Sequence, residues 1–281
     1  MPRKRINDID LSRWRDYEQV WTDSLWLIGP RDRSGGHQLD YHGNFVPQIA
    51  TQAFTRYTRK GEVVLDLFLG SGTSAIEAVR LQRRCIGVEL KPELVDYVRA
   101  KLGDQVVPDS GPPDAPVQLL QGDSAAPETV ERVRQALAAW GQTHAQLLVL
   151  HPPYHDIIRF SEHSEDLSNA PTLDAFLTLF GQVVRNGWEL LEPGRYAVLV
   201  IGDAYTRGEL VPLGFECLRV CRELGFRPKA IIVKDIQGNE RGKGRAKKLW
   251  RYRALAGGYY IFTHEYVMIF QKPETVQRHK K

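Results

Sequence analysis

The sequence predicts an α/β fold in one large domain, with a mostly parallel sheet covered by helices on both faces. Short apolar runs alternate along the chain with longer amphipathic segments, which is the pattern of buried strands separated by helices. The chain has 281 residues, 42% of them hydrophobic, so it can bury a large core. No internal repeat divides it.

Seven apolar runs are predicted to form the strands: 63–68, 85–89, 117–121, 146–150, 197–201, 230–234 and 259–271, the last as a strand or hairpin that closes the sheet. Helices are predicted from about Ser74, and over about 92–102, 128–140, 173–191 and 212–224. Pro92 suits a first helical turn, because an N–H there would have no partner in the helix. The stretch 103–116 is rich in Pro, Asp and Gly and is predicted to be a surface loop.

Charge and cysteine content narrow the class of protein. The formal net charge of +4 is mild, but basic residues concentrate at 3–5, 241–253 and 278–281, which permits a polyanionic partner. The three cysteines Cys85, Cys217 and Cys221 cannot all pair within one chain, and neither a signal segment nor a long apolar run is present. We therefore expect a reduced cytoplasmic protein with no membrane span. No further His or Cys pair stands near Cys217 and Cys221, so buried thiols and no metal are expected.

The segment His151-Pro152-Pro153-Tyr154 directly follows the apolar run 146–150. A strand cannot continue through two prolines, because proline has no N–H to donate and restricts the residue before it. The turn therefore leaves an aromatic face and a polar side chain at the edge of the sheet. Such an arrangement suits a planar group, with stacking on Tyr154 and hydrogen bonds to His151 and the adjacent carbonyls. A plain proline-rich turn is the alternative.

A glycine loop, Asp66-Leu67-Phe68-Leu69-Gly70-Ser71-Gly72-Thr73, follows the first predicted strand, at the edge where ligands bind in open α/β sheets. Its glycines allow a ligand to approach the backbone closely and the chain to turn sharply into a helix. It lacks the Gly-Lys-Ser/Thr of a P-loop and the third glycine of the dinucleotide fingerprint. Phosphate binding is therefore not favoured.

Two further carboxylates follow the next two predicted strands. Glu89 ends the second strand, where an acidic side chain commonly holds ribose hydroxyls, and Asp123 ends the third, where it could accept a hydrogen bond from an adenine amino group. With Asp66 they predict a nucleoside pocket without phosphate. Any of the three could instead cap a helix, Asp123 above all because Ser124 follows it.

Together these motifs resemble the exocyclic-amino DNA methyltransferases, which methylate adenine N6 or cytosine N4 with S-adenosylmethionine. The resemblance also rests on Asp40-Tyr41-His42-Gly43-Asn44-Phe45-Val46-Pro47 and on the late segment 260–272, which is similar to that family's His-Glu-Tyr strand leading to a basic residue. It implies a single Rossmann-like methyltransferase domain with a mostly parallel seven-stranded sheet and a C-terminal antiparallel hairpin. It further implies an N-terminal extension packed on the core (1–38), a methyltransferase domain (39–272) with a cofactor half (39–125) and a catalytic half (145–272), and a basic tail (273–281).

By this resemblance, Phe45 and its neighbours would close over the methionine part of the cofactor, and Glu89 and Asp123 would bind its ribose and adenine. Asp66, Gly70 and Gly72 would line the near side. The full set of cofactor residues that it implies is Asn44, Phe45, Asp66, Phe68, Gly70, Ser71, Gly72, Thr73, Glu89, Leu90, Asp123 and Ser124.

The catalytic residues implied are His151, Pro152, Pro153 and Tyr154. Tyr154 would stack on a base flipped from the duplex, while a neutral His151 nitrogen and the Pro152 carbonyl would accept hydrogen bonds from its amino group. The family usually carries Asp, Asn or Ser at the position of His151, and this departure weakly favours cytosine N4 over adenine N6. A histidine accepts only when neutral, so a raised pKa would switch the site off in mild acid. Alternatively His151 only caps the turn.

DNA contact is predicted for the basic segment at about 236–258, where positive side chains alternate with aromatic ones. A solvated charged loop is the alternative. The residues expected to contact DNA are Arg241, Lys243, Arg245, Lys247, Lys248, Trp250, Arg251 and Arg253. The loop 156–169 is expected to shape the base pocket. Asp203 suits a pocket role and a turn role equally, and Trp14, Trp21 and Trp26 are expected to pack on the core.

The predicted partner is double-stranded DNA, which implies a nucleoid-associated location in the cytoplasm. The resemblance also allows for a cognate restriction endonuclease and for a monomer or a homodimer. An RNA amino-methyltransferase and a non-catalytic DNA-binding relative stay open as alternatives. No Pro-Cys pair exists in the chain, so a resemblance to the cytosine C5 enzymes fails.

Overall fold

A sheet lies between two layers of helices in the computed structural model, which describes residues 5–37, 44–108, 113–154, 166–206, 208–236 and 247–274. The strands are β1 (Leu25–Trp26), β2 (Val63–Asp66), β3 (Arg84–Glu89), β4 (Val117–Gln121), β5 (Ala145–Leu150), β6 (Leu191–Ile201), β7 (Ala204–Thr206), β8 (Glu209–Val211), β9 (Arg227–Asp235) and β10 (His264–Gln271). The α-helices are α1 (Pro47–Tyr57), α2 (Thr73–Arg80), α3 (Pro92–Leu102), α4 (Pro127–Ala139), α5 (Leu173–Leu190), α6 (Leu213–Glu223) and α7 (Lys247–Gly257).

The main sheet has the strand order β1-β9-β10-β6-β5-β2-β3-β4, and β7 and β8 form a separate antiparallel pair. Within the described part of the main sheet, β10 alone runs against its neighbours, since it pairs antiparallel with both β6 and β9. The other strands pair in parallel. The amino end of β10 therefore meets the carboxyl ends of the parallel strands at one edge of the sheet.

Every predicted strand is present, and the predicted antiparallel hairpin is the pair β9 and β10, with α7 between them along the chain. The predicted count of seven strands is wrong, because the described main sheet has eight. The additional strand is β1, which pairs in parallel with β9 and lies in the segment predicted to be an extension. Two residues, only one of them buried, are too few to show the alternation that identifies a strand.

Alternate strand residues face the two helix layers. Val63 and Leu65 of β2 pack in the cluster that α4, α5 and α6 cover, whereas Val64 packs in the cluster with α1, α2 and α3. All residues of β2 and β5 are buried. The continuous apolar character of these two strands follows from burial on both faces.

The predictions for the three cysteines are confirmed, whereas those for the tryptophans are confirmed only in part. Cys85, Cys217 and Cys221 are buried and free, as predicted. Trp26 is buried and meets Trp21 edge to face at 5.2 Å, but Trp14 is 59% exposed, so its predicted packing is wrong. Among the described helices, none is both long and apolar enough to cross a membrane.

A buried arginine ties three central strands together at the edge opposite the carboxyl ends. Arg195 of β6 is 2% exposed, and its Nε donates to the Gln146 carbonyl of β5 at 3.2 Å. Its guanidinium also pairs with Glu62, directly before β2. Glu62 in turn accepts from the Arg59 backbone N–H at 2.8 Å. The pair therefore helps to fix the relative positions of β2, β5 and β6.

Replacing this arginine tests its structural role. We expect Arg195→Met to lower the free energy of unfolding by about 3–5 kcal/mol, because Glu62 and the Gln146 carbonyl lose a buried partner. The matched control is Arg219→Met, whose guanidinium is half exposed beside Glu216 and Glu223 on α6, and we expect a much smaller loss. Urea denaturation followed by circular dichroism measures both. Equally small losses of unfolding free energy in the two variants would contradict the structural role of Arg195.

Candidate functional site

The glycine loop turns from the end of β2 into α2 with two residues in left-handed conformations. Gly70 has φ +56° and Gly72 has φ +87°. A Cβ on Gly72 would lie 2.9 Å from both Cγ atoms of Val98 in α3. Glycine is therefore required at position 72 both for its φ angle and for the close packing of the loop backbone on α3.

Asp66 ends β2 as a fully buried carboxylate with an unsatisfied oxygen. Its Oδ1 accepts from the Phe68 N–H at 2.9 Å, while its Oδ2 has no hydrogen-bond partner among the described residues. Burial raises the pKa of Asp66 to about 6; the Ser74 hydroxyl and the Phe68 N–H oppose the rise, and the charge of Glu89 adds to it. The Ser74 Oγ is itself buried without a well-formed hydrogen bond in the described chain. A ligand that brings a donor or a positive charge would satisfy this oxygen.

Glu89 joins the loops that follow β2 and β3. Its Oε2 accepts from the Gly70 N–H at 2.8 Å, and its Oε1 accepts from the Lys91 N–H at 3.0 Å. Burial raises the pKa of Glu89, while these two amide hydrogen bonds oppose the rise. The carboxylate thus holds the glycine loop at the edge of the sheet, and each oxygen keeps a further lone pair for a ligand hydroxyl.

Asp123 and Ser124 make the turn between β4 and α4. Asp123 Oδ1 accepts from the Ala125 N–H at 2.8 Å, so the turn role that the sequence left open is present. The buried Ser124 hydroxyl donates to the Leu67 carbonyl at 2.6 Å and so connects this turn to the glycine loop. The cofactor roles of both residues stay predictions.

Phe45, near the beginning of the predicted cofactor half, contacts the predicted catalytic motif. Its ring is 6% exposed and meets the His151 ring edge to face, with the centroids 5.3 Å apart. The carbonyl of Asn44 accepts from the Arg31 guanidinium at 3.2 Å. Residues 40–43 of the same motif lie outside the described residues. Of the other predicted cofactor residues, Ser71 and Thr73 are buried and Phe68 and Leu90 are half-buried.

His37 is fixed to α2 by a buried carboxylate, Glu77, for which no role was predicted from the sequence. His37 Nε2 lies 2.7 Å from Glu77 Oε1, and both side chains are almost fully buried. Although burial alone would raise the pKa of Glu77, hydrogen bonds from His37, Thr51 and Arg80 lower it. These contacts hold the chain close to the helix that follows the glycine loop.

The motif His151-Pro152-Pro153-Tyr154 leaves the sheet directly after β5. The rings of His151 and Tyr154 are nearly perpendicular, with centroids 6.1 Å apart, and Pro152 between them is buried. No described residue makes a hydrogen bond with the His151 ring. Desolvation lowers the pKa of His151 to about 4; the charge of Glu265 opposes this shift, and the charge of Lys234 adds to it. The ring is therefore neutral at neutral pH, and the raised pKa that a switch in mild acid requires is absent.

A buried ion pair lies under the aromatic side chain of this motif. The Tyr154 hydroxyl donates to Glu265 Oε2 at 3.2 Å, and Lys234 Nζ donates to Glu265 Oε1 at 3.0 Å. Lys234 is 5% exposed and Glu265 is 9% exposed. Burial, together with the charge and hydrogen bond of Glu265, raises the pKa of Tyr154 well above its ordinary value. No role was predicted for Glu265 or Lys234. Lys234 ends the predicted strand 230–234, and Glu265 lies in the His-Glu-Tyr part of the predicted strand 259–271.

Asp203, for which the sequence left two roles open, makes structural contacts. Its Oδ1 accepts from the Gly214 N–H at the start of α6 at 2.9 Å, and its Oδ2 accepts from the Tyr266 hydroxyl at 3.0 Å. These contacts are those of the turn role.

The predicted DNA-contact segment is described only in part. Arg241, Lys243 and Arg245 lie outside the described residues, as does most of the loop 156–169. The backbone of Lys247, Lys248 and Trp250 lies in α7, a helix that the sequence analysis did not predict, and Arg251 and Arg253 are exposed further along it.

Comparison with known proteins gives a partial match in sequence. Residues 3–100 match the family model described as DNA methylase. The type II methyltransferase M.BglI of Bacillus subtilis is 36% identical over 90 residues, which are 32% of this chain and 24% of that protein. The type II methyltransferase M2.DpnII of Streptococcus pneumoniae is 30% identical over 93 residues, 33% of each chain. The matches span between 14% and 33% of the length of the curated relatives.

Comparison with solved structures concerns the fold alone. The crystal structure of the cyclase SpnF superposes with a TM-score of 0.50 and 12% identity, over 81% of this chain and 82% of that chain. SpnF is described as a cyclase, so this likeness concerns the fold and not the reaction. In sequence, this chain is thus similar to the DNA methylase family through residues 3–100, and to type II methyltransferases.

Proposed function

We propose that the protein is a site-specific DNA methyltransferase that transfers a methyl group from S-adenosylmethionine to the exocyclic amino group of a flipped base. Cytosine N4 is slightly preferred over adenine N6. The observation that carries this proposal is the contact of Phe45 with His151 at 5.3 Å, because it joins the predicted cofactor pocket to the proline-rich motif. A base held on Tyr154 would then lie beside the methyl donor.

The pocket beside β2, β3 and β4 fits the cofactor. Bound S-adenosylmethionine would supply a methyl group on a positively charged sulfur. The unpartnered Asp66 Oδ2 favours a ligand that carries positive charge or a donor, and Glu89 retains acceptor capacity for ribose hydroxyls. The close approach of Gly72 to Val98 leaves the loop backbone free of side-chain bulk. Asp123 is proposed for the adenine and Phe45 for the cover over the methionine part.

On the substrate side, a ring nitrogen of His151 and the Pro152 carbonyl are proposed to accept hydrogen bonds from the two N–H groups of the target amino group. The amino nitrogen is a poor nucleophile because its lone pair is conjugated into the ring, and two acceptors localise that lone pair toward the methyl group. A His151 ring that stays neutral supports this role. Transfer would be direct, with the nitrogen–methyl bond forming as the sulfur–methyl bond breaks and no covalent link to the protein, and most of the rate gain would come from positioning.

For the DNA itself, the exposed Arg251, Tyr252 and Arg253 of α7 support the predicted contact with the duplex. Double-stranded DNA with base flipping is the proposed substrate. A cognate restriction endonuclease, a location in the cytoplasm near the nucleoid, and a monomer or homodimer belong to the same proposal.

Transfer of a tritiated methyl group tests this function. The protein is incubated with labelled cofactor and either duplex DNA or RNA, and label is expected in the DNA. Tyr154→Ala should abolish transfer while the cofactor still binds, because the base loses its stacking surface. The matched control is Trp14→Ala, which removes an exposed aromatic side chain far from Tyr154 in the sequence and should retain activity. Label in RNA alone, or cofactor binding without any transfer, would overturn the proposal.

The buried Asp66 gives a second test, in which stability and affinity change in opposite directions. Because burial raises the pKa of Asp66 to about 6, the folded protein binds more protons than the unfolded chain between pH 3.8 and 6, and stability falls as the pH rises through this window. We expect Asp66→Asn to stabilise the cofactor-free protein at pH 7 by about 2–3 kcal/mol. The same substitution should also weaken the binding of S-adenosylmethionine at least tenfold.

Calorimetric titration and thermal unfolding measure the two effects of Asp66→Asn. The control is Asp96→Asn, an exposed aspartate on α3, which should change neither quantity. Unchanged cofactor affinity in Asp66→Asn would remove this residue from the proposed pocket.

The pH profile tests His151. With the pKa lowered to about 4, the activity that depends on this ring should hold from pH 8 down to about 5 and fall below that. The fall should be absent in His151→Asn, whose amide oxygen accepts at any pH. Saturating cofactor keeps the titration of Asp66 out of the measured kcat, and circular dichroism checks that the protein stays folded. An identical acid limb in His151→Asn would remove His151 as an acceptor.

A further inference from the structure

The ion pair of Lys234 and Glu265 lies where β9 and β10 pair at the edge of the proposed site. The two residues are cross-strand partners in the antiparallel ladder, and both are at least 90% buried. Lys234 Nζ binds one carboxylate oxygen of Glu265, and the other oxygen accepts from the Tyr154 hydroxyl. Both carboxylate oxygens of Glu265 therefore have a partner: one pairs with Lys234, and the other accepts from the Tyr154 hydroxyl.

Such a pair is costly for a protein to keep. Removing two charges from water costs several kcal/mol per ion, and apolar residues of similar volume often give equal or greater stability. Stability alone is therefore a weak reason for a lysine and a glutamate at this position in the sheet. The hydrogen bond to Tyr154 gives the pair a second effect, which apolar residues could not reproduce.

The Tyr154 ring is held by three neighbours, Gly202, Glu265 and His151. A Cβ on Gly202 would lie only 3.2 Å from Tyr154 Cε2, so the ring packs closely against the backbone after β6. Its hydroxyl is bound by Glu265, and its ring stands at 89° to that of His151. A ring fixed in this way loses little conformational entropy when a base stacks on it.

We propose that Glu265 is the positioning residue of the Tyr154 clamp, and that Lys234 holds Glu265 in place by pairing with its second oxygen. The inference deepens the proposed function and rests on it. Glu265 touches neither the base nor the cofactor in this account, and it acts through the orientation of Tyr154. Its removal therefore affects catalysis through the arrangement of the bound base, with little effect on cofactor affinity.

The same pair also acts on His151, which gives a readout that a purely structural role would not move. Glu265 and Lys234 act on His151 with opposite signs, and Tyr154 is its ring neighbour. Two further charged groups lie nearby: Asp203, whose charge raises the pKa of Tyr154, and Arg31, whose pKa the charge of Glu265 raises against desolvation. Removing the positive charge of Lys234 should move the acid limb of activity to higher pH, and removing the negative charge of Glu265 should move it to lower pH.

The experiment compares Glu265→Gln, Tyr154→Phe and the double variant in methyl transfer to duplex DNA. Each single change should lower kcat about tenfold and leave the KM for S-adenosylmethionine within twofold. The double variant should be no slower than the slower single variant, because both changes remove one interaction. The matched control is Tyr266→Phe, which removes a similar hydroxyl, bound to Asp203, from the next position of β10, and should keep kcat within twofold.

A second measurement keeps the inference testable where a single variant folds poorly. Lys234→Met with Glu265→Leu replaces the whole pair by apolar side chains, so it should fold, yet it should show the same loss in kcat. Full activity of this variant or of Glu265→Gln, multiplied losses in the double variant, or a matching loss of cofactor affinity would overturn the role of Glu265. If the unchanged protein transfers no methyl group to DNA, the proposed function itself fails.

Discussion

The insertion of β10 between β6 and β9 is the constraint on which the proposed site depends. Because β10 runs opposite to both neighbours, its first residues reach the edge where the parallel strands end. Glu265 is thereby placed opposite Lys234 and within reach of Tyr154, which follows β5. Had β10 been parallel, this edge would have received the end of the strand and its glutamate would lie at the far side of the sheet.

The cofactor half depends on contacts of a different kind, between loops rather than strands. Glu89 accepts a hydrogen bond from the Gly70 N–H, and the Ser124 hydroxyl donates one to the Leu67 carbonyl. These two hydrogen bonds connect the loops that follow β2, β3 and β4. At the end of β2, Asp66 keeps one carboxylate oxygen without a partner in the described chain. An unsatisfied buried oxygen lowers stability, and such a cost is expected where a ligand completes the site.

The sequence predicted which segments form the central strands and where the motifs follow them, because burial on both faces leaves continuous apolar runs such as those of β2 and β5. It could not predict β1, whose two residues pair with a strand about 200 positions later. The partnership of Lys234 with Glu265 depends on the strand order, which no local pattern encodes. The lowered pKa of His151 likewise depends on desolvation by distant segments.

In the proposed reaction, an exocyclic amino group accepts the methyl group on a base stacked against Tyr154. The most direct measurement is mass spectrometry of the nucleosides released from duplex DNA after incubation with the protein and S-adenosylmethionine. The account predicts N4-methylcytosine, or N6-methyladenine as its alternative. Methylation at cytosine C5, or DNA that carries no added methyl group, would contradict it.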